Sequence, residues 1–246
     1  MRTIAVYSVK GGVGKTSIAA NLAWCSAQQS RRRTLLWDLD PQGGAGFLFG
    51  VDPDARARAG KLFDKSIDPA SLICATTTEQ LDLLPADRSL RSLDGLLASL
   101  GKRKRLARLT EALSPHYDRI ILDCPPVLNE ISQQIFRAAD VIIVPLSPSP
   151  LARRALEVIR DELAQELKTH APILPVFSMI DRRRSLHRDA CAAEPEWPVI
   201  PMASTVEQMA ARRAPLGAFD RTSPAAQAFT ALWTGIERKL AAQDKT

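Results

Sequence analysis

Short apolar runs alternate with amphipathic stretches along most of this chain. Runs rich in Val, Ile and Leu predict buried strands at residues 3–8, 34–38, 81–85, 119–123, 141–146, 173–179 and 199–200. Between two of these runs, apolar residues recur every four positions from Leu151 to Leu167 with charges between them, which predicts an amphipathic helix. Near-continuous apolar strands that alternate with such helices indicate an α/β fold, with a doubly wound, mostly parallel sheet and helices on both faces.

Two further helices are predicted, at residues 16–28 behind the first strand and at 224–242 near the end of the chain. The last one carries an apolar stripe that includes Phe229, Trp233 and Ile236. This stripe could dock on the core or, alternatively, bind a membrane surface. Membrane-targeting helices usually place large apolar residues beside lysines, whereas this chain ends Gln-Asp-Lys-Thr. We therefore expect docking and no membrane partner.

Length and composition fit one globular domain over residues 1–246, because 46% of the residues are hydrophobic and 24% are charged. The first apolar run starts at residue 3, which leaves no room for a signal peptide. No apolar run approaches the ~18 residues of a membrane span. The cysteines lie apart without CxxC spacing, which favours reduced thiols over a zinc or iron–sulfur site. We expect a cytoplasmic protein.

The net charge of +6 and the isoelectric point near 9.4 come mainly from arginines. They form clusters at residues 31–33, 102–105, 182–188 and 212–213. A basic surface favours polyanionic partners, such as nucleic acid or anionic lipid. The segment 51–69 between the second and third predicted strands is polar and predicted to be rich in loops.

A glycine-rich segment follows the first predicted strand and opens the first helix. Residues 8–17 read Ser-Val-Lys-Gly-Gly-Val-Gly-Lys-Thr-Ser. A phosphate chain needs many N–H donors in a small arc, and glycines let the backbone approach it closely. The N-terminus of the following helix adds its dipole. The segment therefore predicts a P-loop NTPase that binds ATP and Mg²⁺.

The residue types in this loop predict which of them contact the phosphates and which contact the metal. Lys15 reaches the β- and γ-phosphates, and the Thr16 hydroxyl binds Mg²⁺. The usual P-loop has a glycine five positions before Gly14, where this chain has Val9, and an additional lysine, Lys10, follows. The residues expected to bind the nucleotide in this segment are Lys10, Gly11, Gly12, Val13, Gly14, Lys15, Thr16 and Ser17.

Carboxylates end two of the predicted strands. Residues 37–43 read Trp-Asp-Leu-Asp-Pro-Gln-Gly, which puts Asp38 and Asp40 after the second strand. The apolar run at 119–123 delivers Asp123 in the same way, followed by Cys-Pro-Pro. Carboxylates at the carboxyl ends of strands beside a P-loop suit the binding of metal and water. Asp38 and Asp123 are therefore expected at the metal, together with Thr16.

These motifs together resemble the ParA/MinD family of partitioning and positioning ATPases, whose P-loop carries the same additional lysine and is called a deviant Walker A motif. The resemblance implies that Lys10 reaches the ATP of a dimer partner and that Asp40 places the attacking water, so that Lys10, Lys15 and Asp40 are the catalytic residues. It also places Met179 and Pro201 beside the adenine, although many relatives have Asn where this chain has Ser178.

The resemblance further implies a ParA-like switch. Such a protein dimerises on ATP, binds DNA without sequence preference, associates with the nucleoid and positions a plasmid, chromosome or protein cluster. A ParB-like or other adaptor protein would stimulate hydrolysis. The basic residues expected to contact DNA are Arg182, Arg183, Arg184 and Arg188. A MinD-like membrane-associated ATPase and a metabolic P-loop enzyme are the alternatives.

Overall fold

The computed structural model describes residues 1–51, 59–64, 66–100, 104–166 and 170–243. Within these residues one sheet holds eight strands in the order β3-β4-β2-β5-β1-β6-β7-β8. Their bounds are β1 Arg2–Val6, β2 Thr34–Asp38, β3 Cys74–Ala75, β4 Leu81–Leu84, β5 Arg119–Asp123, β6 Val141–Leu146, β7 Ile173–Ile180 and β8 Val199–Pro201. All neighbours pair in parallel except β3 and β4, which are antiparallel. The predicted α/β class with a mostly parallel sheet is confirmed.

Helices connect the strands and cover both faces of this sheet. They are α1 Lys15–Gln28, α2 Gly44–Leu48, α3 Leu93–Leu100, α4 Arg105–Ala112, α5 Glu130–Ala138, α6 Pro150–Glu166, α7 Ser185–Ala193, α8 Ser204–Arg212, α9 Leu216–Phe219 and α10 Pro224–Gln243. The predicted loop-rich segment 51–69 is described in part, with short 3₁₀ turns at Ala59–Leu62 and Pro69–Ser71. Residues 52–58 and 65 lie outside the described residues.

Successive strand residues point to opposite faces of the sheet and therefore pack into two separate hydrophobic cores. Ile4 and Val6 of β1 join one cluster with α1 and α10, whereas Ala5 joins the other with α3 to α6. This arrangement explains why the apolar runs in the strands are nearly continuous and do not alternate with polar residues. The assignment of the whole chain to one domain stays a prediction.

Three predicted strands, at 34–38, 119–123 and 141–146, agree with the structure to the residue. The first strand differs, because β1 ends at Val6 and not at residue 8. Tyr7 and Ser8 are still buried, and the Tyr7 N–H donates to the Ile143 carbonyl over 2.9 Å. The apolar pattern therefore continues into the start of the glycine-rich loop after the strand has ended.

The last helix docks on the core, as predicted. Its residues Phe229, Trp233 and Ile236 are buried against α1, and the Trp233 Nε1 donates to the Ser30 hydroxyl over 2.8 Å. Arg119 of β5 makes a two-pronged ion pair with Glu237 at 2.7 and 3.0 Å. Among the helices that the structure describes, none combines the length and apolar character needed to cross a membrane.

The contact between α1 and α9 is a tight point of this packing. Gly217 of α9 lies against the Trp24 ring, so a methyl group at Gly217 would overlap the ring. Asn21 accepts the Leu216 N–H over 2.9 Å and fixes the start of α9 on α1. Only a residue without a side chain lets α9 approach α1 this closely.

Gly217→Ala should lower the free energy of unfolding by about 1–3 kcal/mol, because the new methyl group has to displace a buried ring. Gly235→Ala is the matched control, since Gly235 lies in α10 with no neighbour within 4 Å of the added atom. That control should be neutral or stabilising by up to about 1 kcal/mol. Thermal melts of both variants check this; equal melting temperatures would contradict the close packing.

Candidate functional site

The glycine-rich loop lies between β1 and α1 at the carboxyl edge of the sheet. Gly12 and Gly14 adopt φ values of 69° and 83°, which other residues rarely adopt. A Cβ on Gly14 would also lie 3.1 Å from the Ser178 hydroxyl. Gly14 caps the start of α1 without a side chain, so the first N–H groups of the helix keep no side-chain acceptor. This arrangement suits an anion.

The two lysines of the loop differ in their surroundings. The Lys15 side chain is buried, and its ammonium donates to the Lys10 carbonyl over 3.2 Å. Burial lowers the pKa of Lys15, while the carboxylates of Asp123 and Asp40 raise it. Lys10 is half-buried at the edge of the loop, and its ammonium has no ion-pair partner among the described residues. Lys15 therefore faces the carboxylates of its own chain, and Lys10 does not.

The strand register brings two carboxylates side by side. β1, β2 and β5 end at the same level, and Asp38 pairs with Asp123 across the sheet. Both Asp38 oxygens accept backbone N–H groups, from Asp40 and Ala45, each over 3.0 Å. Burial and the neighbouring Asp123 raise the pKa of Asp38 well above its usual value, although the two N–H groups oppose this. Asp38 thus fixes the loop that follows it.

Asp123 differs from Asp38 in its hydrogen bonding. Both of its carboxylate oxygens are buried and have no hydrogen-bond partner among the described residues. Burial raises the pKa of Asp123 to about 7. The Thr16 hydroxyl, which is close to the carboxylate but makes no hydrogen bond of adequate geometry with it, and the Lys15 ammonium oppose this rise. A buried carboxylate without a donor is unfavourable unless a cation completes it. Asp123 therefore has the free acceptors that a metal ion or its bound water would use.

The loop after β2 closes this side of the site. Asp40 is half-buried, and its carboxylate accepts the Gln42 N–H over 3.0 Å. A Cβ on Gly44, at the start of α2, would lie 3.1 Å from the Thr16 side chain. The loop and α2 therefore lie directly against the predicted metal ligand Thr16.

The described residues contain no group of three or more His, Cys, Asp or Glu side chains able to hold a metal alone. Mg²⁺ is usually bound by one or two protein oxygens together with water and substrate phosphates. Thr16 and the free oxygens of Asp123 fit this pattern, and Asp38 supports the site through the loop backbone.

A cavity of about 260 Å³ adjoins the loop on its other side. Gly14 and Ser17 form one wall, and Met179 and Pro201 line the same cavity. Their contact with an adenine stays a prediction. α8 closes it with Val206, Glu207 and Ala210. Val206 and Glu207 belong to a stretch whose pattern also resembles the family, whereas no sequence pattern singled out Ala210.

A backbone irregularity presents Met179 to the cavity. The pairing of β7 with β8 shifts between Phe177 and Ile180, and Met179 lies in this bulge with φ of 61°. Ser178, beside it, is buried against Gly14. A bulged residue with positive φ is strained and occurs often next to functional sites. No local sequence signal indicates this bulge.

The chain after β7 carries the predicted DNA-contacting arginines on one exposed surface. Arg183 makes a two-pronged ion pair with Asp181, with both distances 2.8 Å, and Arg188 donates to the carbonyls of Arg182 and Arg183. Arg182 and Arg184 are exposed and have no ion pair among the described residues. This surface begins at Arg182, three residues after Met179, which lines the cavity.

The other arginine clusters are placed differently. Residues 101–103 lie outside the described residues, and Arg105 is buried, with its Nε donating to the Phe63 carbonyl over 2.5 Å. The guanidinium groups of Arg212 and Arg213 lie over the rings of Phe219 and Phe47. Among the described residues, Arg105 is therefore not part of the exposed basic surface, and Arg212 and Arg213 pack against aromatic rings.

Comparison with known proteins agrees with this site. A model of the AAA domain family matches residues 1–173. The chain is 33% identical over 191 residues to the sporulation initiation inhibitor protein Soj of Bacillus subtilis, which covers 75% of each protein. It is also 33% identical over 199 residues to the chromosome partitioning protein ParA of Caulobacter vibrioides, covering 76% of this chain and 72% of that protein. The chain belongs to the ParA/MinD family of ATPases.

A solved structure extends the likeness of this ParA/MinD-family protein over nearly its whole length. Cobyrinic acid a,c-diamide synthase from Mycobacterium smegmatis, with a bound ATP analogue and magnesium, superposes with a TM-score of 0.82 and 28% identity. The match covers 97% of this chain and 94% of that one. The predicted family and the P-loop NTPase fold are thereby confirmed.

Asp123→Asn should stabilise the nucleotide-free protein by about 1–3 kcal/mol at pH 8, because it removes a buried carboxylate that has no donor. At pH 8 the carboxyl is ionised in both states, since its folded pKa is about 7. The stabilisation should shrink towards pH 4, where burial already keeps Asp123 protonated.

The same variant should bind ATP more weakly when Mg²⁺ is present, since the free acceptors are lost. Asp161→Asn, on the exposed face of α6, is the control for a generic charge effect. Melting temperatures at pH 5 and pH 8, and nucleotide titrations with and without Mg²⁺, check both parts. A variant that is less stable and binds Mg·ATP normally would contradict this role.

Proposed function

We propose that this chain is a ParA-like switch, which forms a dimer on binding Mg·ATP and returns to the monomer on hydrolysis. The observation that carries this proposal is the division between the two loop lysines. Lys15 is buried beside the carboxylates of its own site, whereas the Lys10 ammonium lies at the loop edge with no ion-pair partner among the described residues. One lysine serves its own nucleotide, and the other is available to a second subunit.

Binding of ATP uses the loop and the adjoining cavity. The N–H groups from Gly11 to Ser17 hold the phosphates, and Lys15 exchanges the Lys10 carbonyl for them. The base enters the cavity between Met179 and Pro201. Thr16 and Asp123 hold Mg²⁺, which when bound neutralises charge on the phosphates.

Hydrolysis depends on the loop after β2. Asp38 anchors this loop through the N–H groups of Asp40 and Ala45, and Asp40 orients the attacking water. Lys10 of the dimer partner supplies positive charge to the transferred phosphate, as an arginine finger supplied in trans does. Catalysis then requires the dimer, and hydrolysis removes the phosphate that holds it.

The exposed arginines give the switch its polyanion partner. Arg182, Arg183, Arg184 and Arg188 follow directly on the strand that lines the base cavity. Contacts from arginines to backbone phosphates bind DNA without reading its sequence. In the dimer two such surfaces act together, so DNA binding follows the nucleotide state. The protein then occupies the nucleoid in its ATP form and positions a cargo through an adaptor that stimulates hydrolysis.

An ATP-dependent amide synthase is the second candidate, favoured by the 28% identity with the Mycobacterium smegmatis enzyme. Such an enzyme would turn over ATP only with an acid and an amine donor, whereas a switch turns it over alone or with DNA and an adaptor. A membrane-associated switch has no comparable support, because the apolar stripe of α10 is buried in the core.

Lys10→Ala and Asp40→Ala should each lose at least about tenfold in ATPase rate, but for different reasons. Lys10→Ala should stay monomeric with ATP, while Asp40→Ala should form a long-lived dimer. In an equal mixture, a mixed dimer has one complete site, because the subunit that keeps Asp40 receives Lys10 from its partner. The activity should then recover to about a quarter of the wild-type rate if the subunits mix at random.

Light scattering and phosphate release measure these two properties. Lys239→Ala, at an exposed lysine of α10, is the control and should behave as wild type. The proposal fails if Lys10→Ala dimerises and hydrolyses ATP normally, or if the mixture shows no recovery although mixed dimers form.

The double change Arg182→Glu and Arg184→Glu should weaken binding of the ATP form to unrelated duplexes uniformly. The slope of log binding constant against log salt concentration should become shallower by the amount expected for about two lost phosphate contacts. A charge-matched control is Arg91→Glu with Arg108→Glu, at exposed sites near α3 and on α4. Fluorescence anisotropy at several salt concentrations checks this. Equal loss in both pairs would mean that only net charge matters, and the arginine surface would not be the binding site.

A further inference from the structure

Arg213 has an unusual backbone for an arginine. It ends α8 with φ of 49° and ψ of 46°, in the left-handed region where helices usually place glycine. Its own N–H donates to the Met209 carbonyl, as the cap of the helix. A side chain at this position strains the backbone, and the contacts of the side chain have to offset that strain.

The Arg213 side chain holds the end of α2. Its Nε donates to the Phe47 carbonyl over 3.2 Å, and its guanidinium carbon lies 5.2 Å from the centre of the Phe47 ring. Phe47 is 51% exposed, so the core covers only part of this residue and the guanidinium group packs against its ring. Arg213 therefore contacts Phe47 in two ways, through the backbone carbonyl and through the aromatic ring.

The other end of α2 belongs to the nucleotide site. Ala45 donates to the Asp38 carboxylate, and Gly44 lies against Thr16. The loop that carries Asp40 leads directly into this five-residue helix. Arg213 thus tethers one end of a helix whose other end touches two site residues.

Both α8 and α2 line the base cavity. Val206, Glu207 and Ala210 of α8 line the base cavity, and Leu48 of α2 lines it too. We propose that Arg213 is a positioning residue that ties α2 to α8, so that a base held against α8 also fixes the loop of Asp40. This inference rests on the proposed function, because it assigns to Arg213 the support of the residue that places the water.

The variant Arg213→Gly tests the positioning role of Arg213 without a large change in the stability of the fold. Glycine suits the left-handed backbone, so the melting temperature should stay near that of the wild type although the tether is lost. The ATPase rate constant kcat should fall about 10- to 100-fold, as misplacement of a catalytic group does. The dissociation constant for ATP should change less than about twofold, because the phosphate loop is untouched. Arg213→Lys keeps the charge without the planar group, and should restore part of the rate.

Phe47→Leu removes the ring contact but keeps the backbone carbonyl, so it should reproduce part of the loss. The double variant with Arg213→Gly should lose no more than Arg213→Gly alone. The control Arg212→Ala removes the neighbouring arginine, which lies over Phe219, and should leave kcat unchanged. Wild-type kcat with a normal dissociation constant in Arg213→Gly would overturn the inference. So would additive losses in the double variant.

Hydrogen exchange with ADP tests the connection without hydrolysis. ADP should slow amide exchange at the end of α2, from Phe47 to Gly50, in the wild type and clearly less in Arg213→Gly. Equal slowing in both proteins would overturn the inference while leaving the proposed function intact. A wild type that binds ADP but does not hydrolyse ATP would overturn the proposed function, and the exchange result would still decide the tether.

Discussion

The register between β2 and β5 is the constraint on which the rest of the site depends. It sets Asp38 directly beside Asp123, both fully buried. Two adjacent carboxylates in a low-dielectric interior are costly unless each finds donors or a cation. Asp38 finds two backbone N–H groups in the loop that follows it, and this fixes the loop. Asp123 finds none, and so the site is built to receive a cation.

Around Asp38 and Asp123, the backbone is preorganised, whereas several basic side chains can change their contacts when a ligand binds. The glycines of the phosphate loop adopt positive φ without strain, and the bulge at Met179 holds a strained backbone; both preorganise the site. Lys15 rests on a neutral carbonyl, a contact that it can exchange for phosphate at little cost. Lys10 and the exposed arginines face outwards. Lys10, Arg182 and Arg184 have no ion pair among the described residues. These three therefore gain a charged partner only when nucleotide, a second subunit or a polyanion arrives.

The sequence was most informative where the information is local. Buried strands such as β5 have apolar runs with a carboxylate at the end, and the phosphate loop has fixed chemistry at fixed spacing, so both could be predicted. The bulge at Met179, the burial of Arg105 and the tether by Arg213 could not. Each results from contacts between residues distant along the chain, and an arginine has the same sequence pattern whether it is buried, lies over a ring or is exposed.

The placement of the arginines changes how the charge of +6 should be understood. A uniform basic surface would bind a polyanion in every nucleotide state. Here Arg105 is buried and the exposed Arg212 and Arg213 lie over aromatic rings, while the arginines at 182–188 follow β7, whose Met179 lines the base cavity. The chain between Met179 and α7 is short, so a change at the base is close to the arginine surface. Under the proposed function, affinity for DNA is then governed by the geometry of the nucleotide site and of the dimer more than by total charge.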